Sequence, residues 1–481
     1  MYEAVTDWEL VDMMGEATRQ ESMSIAERYA MIAELYERRK EPLKECEWWF
    51  ADHCAAVAAE VSAALNISHA RAVGQVQYAC ALKYRLPRVL KVFLRGTIDI
   101  RVVSAIVSRT ENVAPAVMPA LDEAIARHAE KWMRLSEQKV RDHVDQWVAR
   151  FDPDGVRVPP DVDAQRYFEF EPARQAGMAY GSAHMRAEDA AALDQRLDAM
   201  AAGVCANDPR TMRQRRADAA GALARGDALA CRCGSDDCPA KAQRDTASSA
   251  VIHVLAEQST VDGISDDPGY LPGFGILPAA SVRGLAESAT VHPLEMPTVA
   301  TPADPGYRPS ARTKRFLRFR DVTCRWPGCD RPADQADIDH TVPYPYGPTH
   351  PSNNKHYCRI HHLIKTFYSF IGWRDEQSDD GTMLLLSPSG HINCTQAHGA
   401  ALFPALARST GELDLVPRTE DPGVDRTVKM PRRKRTREQA RRDRINAERR
   451  QRAQLLAEER VAEEQRQREA WRTATYEPPP F

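Results

Sequence analysis

Apolar residues recur at helical spacing over the first half of the chain. From about residue 22 to 225 the sequence is rich in Ala, Leu, Val, Glu and Arg, and apolar positions repeat as in Ile32-Leu35-Tyr36 and Val57-Val61-Leu65. This period places apolar side chains on one face of a helix. It predicts a mostly helical domain over residues 22–290, preceded by an N-terminal extension of residues 1–21.

The pattern changes after residue 290. Residues 291–309 repeat Pro and Thr without periodicity, which is typical of a linker. Residues 310–400 predict a small domain followed by a hairpin, with a turn at Asp379-Asp380-Gly381 and strand residues Met383-Leu384-Leu385-Leu386. Residues 401–481 form a low-complexity tail. We expect it to be basic and partly helical.

Composition and charge narrow the class of protein. The 481 residues are too many for one ordinary core. The net charge of −3 hides a basic segment, because residues 426–472 hold seventeen basic and eight acidic side chains. The eleven cysteines are odd in number and cluster at short spacings, which favours metal ligation in a reducing cytosol over disulfides. With an acidic N-terminus and no long apolar run, we expect a cytoplasmic protein without a membrane partner.

Two tight turns carry candidate ligands for a structural metal. Cys324 and Cys329 flank a Pro-Gly turn, and Cys358-x-x-His361 follows some thirty residues later. Three thiolates and one imidazole form the closed tetrahedral set of a structural zinc (Zn²⁺). A module of this size buries too little apolar surface to hold itself without such a staple. His356 is an alternative fourth ligand.

Between and beside these ligands lie residues suited to phosphodiester hydrolysis. His340 is a natural general base, because imidazole is mostly neutral near pH 7. Asp339 is a hard oxygen ligand for Mg²⁺ or Mn²⁺, and His362 can add an imidazole ligand to the same ion. Neighbouring helical residues point about 100° apart, so His361 and His362 can serve different metals. Asn353 can hold the loop and the base through its amide.

At these residues the sequence resembles the HNH endonuclease family, with its ββα-metal (His-Me finger) fold. The resemblance rests on the first cysteine pair, on Asp339-His340-Thr341-Val342-Pro343, on Asn353, and on Cys358-x-x-His361-His362-x-x-Lys365. It implies that His340 is the base, that Asp339 and His362 hold the catalytic ion, and that DNA is the partner and substrate. The first cysteines are four residues apart instead of two, and His361 replaces the last cysteine. Both departures concern the zinc geometry.

The helical region resembles domain of unknown function 222, which actinobacterial repeat proteins carry fused to a C-terminal HNH module. Some of those proteins look like residents of mobile elements. The resemblance rests on Leu86-Pro87 to Ile98, on Asp208-Pro209-Arg210-Thr211 with the helix that follows, and on Leu277-Pro278-Ala279. It implies an architecture and supplies little mechanism.

Two features of the helical region allow two interpretations each. Residues 63–72 have the spacing of a helix-turn-helix, and they also suit two packed helices of a bundle. Cys231, Cys233 and Cys238 could bind a second zinc with a distant ligand such as His253 or Cys205. The same thiols are equally compatible with a glycine-turn loop that binds no metal.

Basic residues offer further contacts to DNA. Five precede the candidate nuclease module at positions that could contact phosphates, although for each one singly a solvated surface is the preferred interpretation: Arg312, Lys314, Arg315, Arg318 and Arg320. The tail could bind phosphates as a basic arm, or remain a solvated helix.

The sequence therefore predicts a multidomain, mainly α protein. Its parts are a large helical domain, a small zinc-stapled ββα-metal HNH module and a basic tail. The expected function is that of a metal-dependent DNA endonuclease. The alternative is a non-catalytic DNA-binding or mobile-element accessory protein that uses the HNH fold for binding.

Overall fold

A computed structural model describes residues 2, 5–158, 166–235, 237–238, 253–287, 289–413 and 430–474. The protein is mainly helical with small sheets, as predicted. Its α-helices are α1 (Asp7–Lys40), α2 (His53–Leu65), α3 (His69–Tyr84), α4 (Pro87–Leu94), α5 (Ile100–Arg109), α6 (Met118–His128), α7 (Glu137–Phe151), α8 (Ala187–Ala202), α9 (Met212–Arg225), α10 (Gln258–Val261), α11 (Ala279–Ala286), α12 (Ala311–Asp321), α13 (Arg359–Phe367), α14 (His398–Leu402) and α15 (Arg437–Ala474). Its β-strands are β1 (Tyr167–Pro172), β2 (Ala179–His184), β3 (Gly269–Leu271), β4 (Gly275–Leu277), β5 (Ala336–His340), β6 (Asn354–Cys358), β7 (Arg374–Gln377), β8 (Met383–Leu386) and β9 (Ile392–Thr395). Within the described ranges, no helix is long and apolar enough to cross a membrane.

The chain divides into two compact units. The first joins residues 1–158 to residues 294–481, and the second is residues 159–293. Helix α1 begins at Asp7, inside the segment expected to be an extension, and the expected helical domain of residues 22–290 is divided near residue 158. Apolar residues keep a helical period on both sides of that point, so the pattern alone does not reveal the division.

Helices α1 to α7 enclose the larger core of the first unit. Side chains such as Val57, Leu82, Phe93, Ile106 and Val144 are fully buried in it. Local sequence starts the helices: the side chains of Asp52, Ser68 and Asp99 accept hydrogen bonds from the first-turn N–H groups of α2, α3 and α5. Such caps satisfy backbone donors that have no partner within the helix.

Helix α2 is buried on all sides because it lies between two cores. Every residue from 54 to 63 is buried. The second core joins one face of α2 to the C-terminal module, and Trp326 and Tyr368 donate hydrogen bonds to the backbone oxygens of Ala59 and Ala51. The segment with helix-turn-helix spacing thus packs as two helices of a bundle.

The C-terminal module is built on a β-hairpin followed by a helix. Strands β5 and β6 pair antiparallel, with Asp339 opposite Lys355 and Ala336 opposite Cys358, and α13 begins directly after β6. The expected hairpin beyond residue 372 is present as β7 and β8, and a third strand extends it to an antiparallel sheet in the order β7-β8-β9. The third strand comes from Ile392–Thr395, which pairs with the apolar strand β8.

The beginning of the C-terminal basic segment lies against the helical bundle. Met430 is buried in the second core, and the side chains of Arg437 and Arg449 pair with Asp52 and Asp152 at 2.8 and 2.6 Å. At Arg437 and Arg449 the segment is therefore neither a solvated tail nor a free basic arm, because both guanidinium groups are paired with the bundle. The reason is that acidic side chains on the bundle neutralise these arginines, whereas the rest of α15 is largely exposed.

The second unit contains two small hairpins and two main helices. Strands β1 and β2 pair antiparallel, as do β3 and β4, and α8 packs on α9. Among the side chains described for this helix pair and the turn after α8, few apolar ones are buried: Ala201, Val204, Ala219 and Ala222.

Candidate active site and metal centre

The four predicted zinc ligands converge at the start of helix α13. The ligand atoms of Cys324, Cys329, Cys358 and His361 all lie within 4.8 Å of one another. The Nδ1 atom of His361 is 3.4 Å from the Cys324 sulfur and 3.3 Å from the Cys358 sulfur. Hydrogen bonds from the other two thiols hold the pKa of Cys358 far below its usual range. This set can hold a structural metal such as zinc.

Aromatic packing fixes the imidazole of this cluster. The His361 ring stacks on Trp326, with centroids 4.5 Å apart and planes inclined by 4°, and meets the edge of His69. His356, the alternative ligand, lies outside the cluster, because its Nδ1 bonds the buried carboxylate of Asp321 at 3.0 Å.

His362 lies between two carboxylates of strand β5. Its Nδ1 is 2.8 Å from Asp337, and its Nε2 is 3.4 Å from the Oδ1 atom of Asp339. Successive side chains alternate between the faces of a strand, so Asp337 and Asp339 point to the same side. In many metal sites a carboxylate accepts a hydrogen bond from one ring nitrogen of a histidine. This bond fixes the tautomer and directs the other ring nitrogen at the metal. Asp339 and His362 thus present a carboxylate oxygen and an imidazole nitrogen, two potential ligand atoms 3.4 Å apart.

The other oxygen of Asp339 faces two ammonium groups. Its Oδ2 lies 3.1 Å from Lys355 and 2.8 Å from Lys365, and Lys355 also pairs with Asp375 at 2.8 Å. Burial opposes ionisation of Asp339, but the two lysines outweigh it and hold the pKa of this carboxyl well below its usual range. The carboxylate is therefore charged at neutral pH, with Oδ1 directed at His362.

His340 ends strand β5 and is almost completely buried. Its Nε2 lies 2.9 Å from the Thr349 hydroxyl, which itself donates to the backbone oxygen of Gly306. Because the Thr349 hydroxyl donates its proton to Gly306, its oxygen accepts a hydrogen bond from the Nε2–H group of His340. The Nδ1 atom of His340 therefore carries a lone pair. Burial lowers the pKa of His340 to about 4, so the ring is neutral at pH 7. The Tyr307 ring stacks on it at 5.2 Å.

Asn353 closes the loop that follows His340. Its amide oxygen accepts from the Val342 N–H at 2.8 Å, and its amide nitrogen donates to the backbone oxygens of Val342 and Pro348, both at 2.9 Å. Within the described part of the chain, its side-chain hydrogen bonds go to the backbone of this loop and none goes to the His340 imidazole. The amide therefore holds the loop, whereas the expected hydrogen bond to the base is not made.

One of the five candidate phosphate contacts is a structural residue. Arg320 is buried, and its guanidinium donates to the backbone oxygens of Pro351 and Asn354, each at 2.7 Å. Its interpretation as a phosphate contact or a solvated residue is wrong. Arg312 pairs with Glu295, whereas Lys314 and Arg315 are exposed.

The structure adds residues that sequence reasoning missed. Asp337 could have been found, because it precedes Asp339 by two positions in a strand. Lys355 and Asp375 depend on strand register and on packing between separate sheets, which no local pattern reveals. Tyr307 and Gly306 belong to the segment expected to be a linker, which instead lies along the module.

Comparison with known proteins identifies the family. The family described as "Domain of unknown function (DUF222)" matches residues 16–321, which is more than half of the chain. The chain belongs to this family. No HNH family matches, and no solved structure matches the chain.

Three relatives come from Mycobacterium tuberculosis. Rv2100 of strain H37Rv is 41% identical over 488 residues, covering 92% of this chain and 87% of that protein. Rv3776 is 40% identical over 474 residues, covering 92% and 90%. A third, described as "in est 3'region", is 36% identical over 341 residues, covering 64% of this chain and 95% of its own. All three are described as uncharacterized proteins.

Proposed function

We propose that this protein is a metal-dependent HNH endonuclease that hydrolyses DNA phosphodiester bonds. The observation that carries the proposal is the 3.4 Å approach of His362 Nε2 to Asp339 Oδ1, with the neutral imidazole of His340 on the next residue of the chain. A hard oxygen and an imidazole at this separation suit one Mg²⁺ or Mn²⁺ ion. The β5-β6-α13 order and the interleaved cysteine cluster match the ββα-metal arrangement that the sequence resembles.

His340 acts as the general base through Nδ1. It takes a proton from water while the water oxygen attacks phosphorus, and the bond from phosphorus to the leaving oxygen breaks. Thr349 keeps the ring in the tautomer that leaves Nδ1 unprotonated. Asn353 holds residues 341–348, so the backbone beyond the base keeps one conformation.

The divalent ion would be held by Asp339 and His362. Bound there, it would supply the positive charge that phosphodiester hydrolysis needs at the scissile phosphate and the leaving oxygen. Asp337 orients His362, and Lys355 and Lys365 keep Asp339 ionised. In this proposal zinc, at Cys324, Cys329, Cys358 and His361, is structural only, because four protein ligands leave no position for water or substrate.

Plasmid nicking tests the proposal. Purified full-length protein is incubated with supercoiled plasmid in EDTA, and then with Mg²⁺ or Mn²⁺ restored. We expect nicking only with the added ion, and a loss of at least about a hundredfold in His340→Ala. His391→Ala is the matched control, because His391 is an exposed histidine of the β8–β9 turn region. It should cut like the wild type.

The outcomes separate the two function classes. If the wild type cuts with neither ion, or His340→Ala cuts as fast as His391→Ala, the endonuclease assignment is wrong. Retention of plasmid on the protein without cutting would then favour the non-catalytic DNA-binding alternative. Circular dichroism of each variant shows that the comparison is between folded proteins.

A further inference from the structure

Four cysteines of the second unit converge on one point. The sulfurs of Cys205, Cys231, Cys233 and Cys238 all lie within 4.8 Å of one another, and those of Cys205 and Cys231 are 3.4 Å apart. A tetrahedral zinc with Zn–S bonds of about 2.3 Å separates its sulfurs by roughly 3.8 Å. The observed separations are therefore of the size that one ion requires. His253 is not in this group, so Cys205 is the fourth member.

The backbone around these cysteines is shaped like the first cluster. Gly234 has φ +75, a left-handed conformation that lets the chain turn back after Cys233. In the first cluster Gly328, which lies between Cys324 and Cys329, has φ +72. Each cluster thus has a left-handed glycine that lets the chain turn tightly beside a cysteine.

A buried acid positions the two halves of the cysteine group. Asp208, three residues after Cys205, accepts a hydrogen bond of 2.8 Å from the N–H of Arg232, which lies between Cys231 and Cys233. The side chain of Asp208 is fully buried and also binds the Arg210 guanidinium at 2.7 Å. Arg210 in turn donates to the backbone oxygen of Ala230. These hydrogen bonds connect the turn after α8, which carries Cys205, to the loop after α9, which carries Cys231 and Cys233.

The helix pair beside the thiols has a thin apolar core. Its described buried apolar side chains are three alanines and one valine, namely Ala201, Ala219, Ala222 and Val204. These side chains are small, so at roughly 25 cal/mol per Å² of buried apolar surface each contributes little to stability. Small units with thin cores are commonly stabilised by a metal.

We infer that Cys205, Cys231, Cys233 and Cys238 bind a second structural zinc ion. Each thiol gives up its proton, and four thiolates complete a tetrahedral set with no open position. The site is structural for the second unit, and it does not depend on the nuclease activity. The glycine-loop interpretation, in which the thiols bind no metal, is the competing outcome.

Zinc content of the full-length protein tests the inference. Protein purified under reducing conditions without chelator should contain two zinc ions per chain by mass spectrometry. Cys233→Ser should contain one, and so should Cys358→Ser, which removes a ligand of the first cluster. Cys394→Ser is the matched control, because Cys394 is an exposed cysteine outside both clusters. It should keep two.

X-ray absorption at the zinc edge tests the wild type without any substitution. Two occupied sites share seven sulfur ligands, four from the second cluster and three from the first, together with one imidazole nitrogen. One occupied site at the first cluster gives three sulfurs and one nitrogen. A wild-type content of one zinc or less, or an undiminished content in Cys233→Ser, overturns the inference. A content of one zinc, or an undiminished content in Cys233→Ser, would leave the nuclease proposal untouched, because the first cluster is independent.

Discussion

The carboxylate of Asp337 lies 2.8 Å from the Nδ1 atom of His362, and this contact turns the opposite ring nitrogen toward Asp339. The contact depends on the packing of helix α13 against strand β5, because Asp337 lies on the strand and His362 on the helix. The pairing fixes the tautomer and the orientation of the imidazole. It makes Asp337 a positioning residue for the proposed ion.

Replacing Asp337 by Asn should weaken binding of the divalent ion. We expect the Mn²⁺ concentration for half-maximal nicking to rise about tenfold to a hundredfold, with the rate at saturating Mn²⁺ changed much less. Asp334→Asn is the control, because Asp334 is an exposed aspartate of the preceding turn. An unchanged Mn²⁺ requirement in Asp337→Asn would show that His362 is oriented by other means.

Thr349 offers a second test of the proposed chemistry. Thr349→Val removes the oxygen that accepts from His340 Nε2–H, so the ring is no longer held in the tautomer with Nδ1 free. We expect the nicking rate at saturating Mn²⁺ to fall about tenfold to a hundredfold while the Mn²⁺ requirement stays constant. Thr349→Ser keeps the hydroxyl and should restore most of the rate. Equal rates in the Val and Ser variants would contradict the tautomer argument.

Local chemistry explains how much of the site the sequence reveals. The ligands Cys358 and His361 lie one helical turn apart, and Cys324 and Cys329 share one tight turn, so their spacing alone predicts a cluster. Likewise, Asp339 and His340 are recognisable because they are adjacent. Lys355 and Asp375 are not, since they meet Asp339 only after β5 pairs with β6 and a second sheet packs against them.

The same limit applies to the fold. Helical periodicity predicts the bundle, because it reports which face of each helix is buried. It does not report that Arg437 and Arg449 have partners almost 400 and 300 positions earlier, at Asp52 and Asp152. From composition alone their segment looks like a solvated tail.

Lys355 should be important for stability because its ammonium group is fully buried between Asp339 and Asp375. Lys355→Met leaves two buried carboxylates with less compensating charge. We expect a loss of about 3–5 kcal/mol in the free energy of unfolding, measured in urea. Lys314→Met on the exposed side of α12 is the control and should change stability by less than about 0.5 kcal/mol. Adding Asp375→Asn to Lys355→Met should recover part of the loss, and failure to recover any would count against this explanation.

Arg437 should attach the C-terminal helix to the bundle. Arg437→Gln leaves the buried Asp52 carboxylate without its 2.8 Å partner, although the carboxylate still caps α2. The expected cost is about 1–3 kcal/mol in urea unfolding, with faster proteolysis of the C-terminal segment. Arg468→Gln, near the exposed end of the same helix, should have little effect on either measurement. If both variants behave alike, the helix does not depend on this pair.

Gly328 is the point at which the first metal cluster meets the helical bundle. It has φ +72, and a Cβ there would lie 2.6 Å from the backbone of Asn66 and Ile67, in the turn between α2 and α3. Gly390 has φ +85 with nothing within 4 Å of such a Cβ, so it is a matched control. Both alanine variants carry the left-handed strain of about 1–2 kcal/mol, and Gly328→Ala should cost about 1–3 kcal/mol more.

The larger loss of unfolding free energy in Gly328→Ala should be accompanied by loss of zinc from the first cluster. The displaced turn carries Cys329, so Gly328→Ala should release zinc to a competing chelator faster than Gly390→Ala does. Urea unfolding and the rate of chelator-induced zinc loss are the two measurements. Equal values for the two variants would mean that the turn between Cys324 and Cys329 shifts to accommodate the added Cβ without disturbing the bundle. A larger effect at Gly328 would establish that the helical domain supports the metal centre directly, through the turn between α2 and α3.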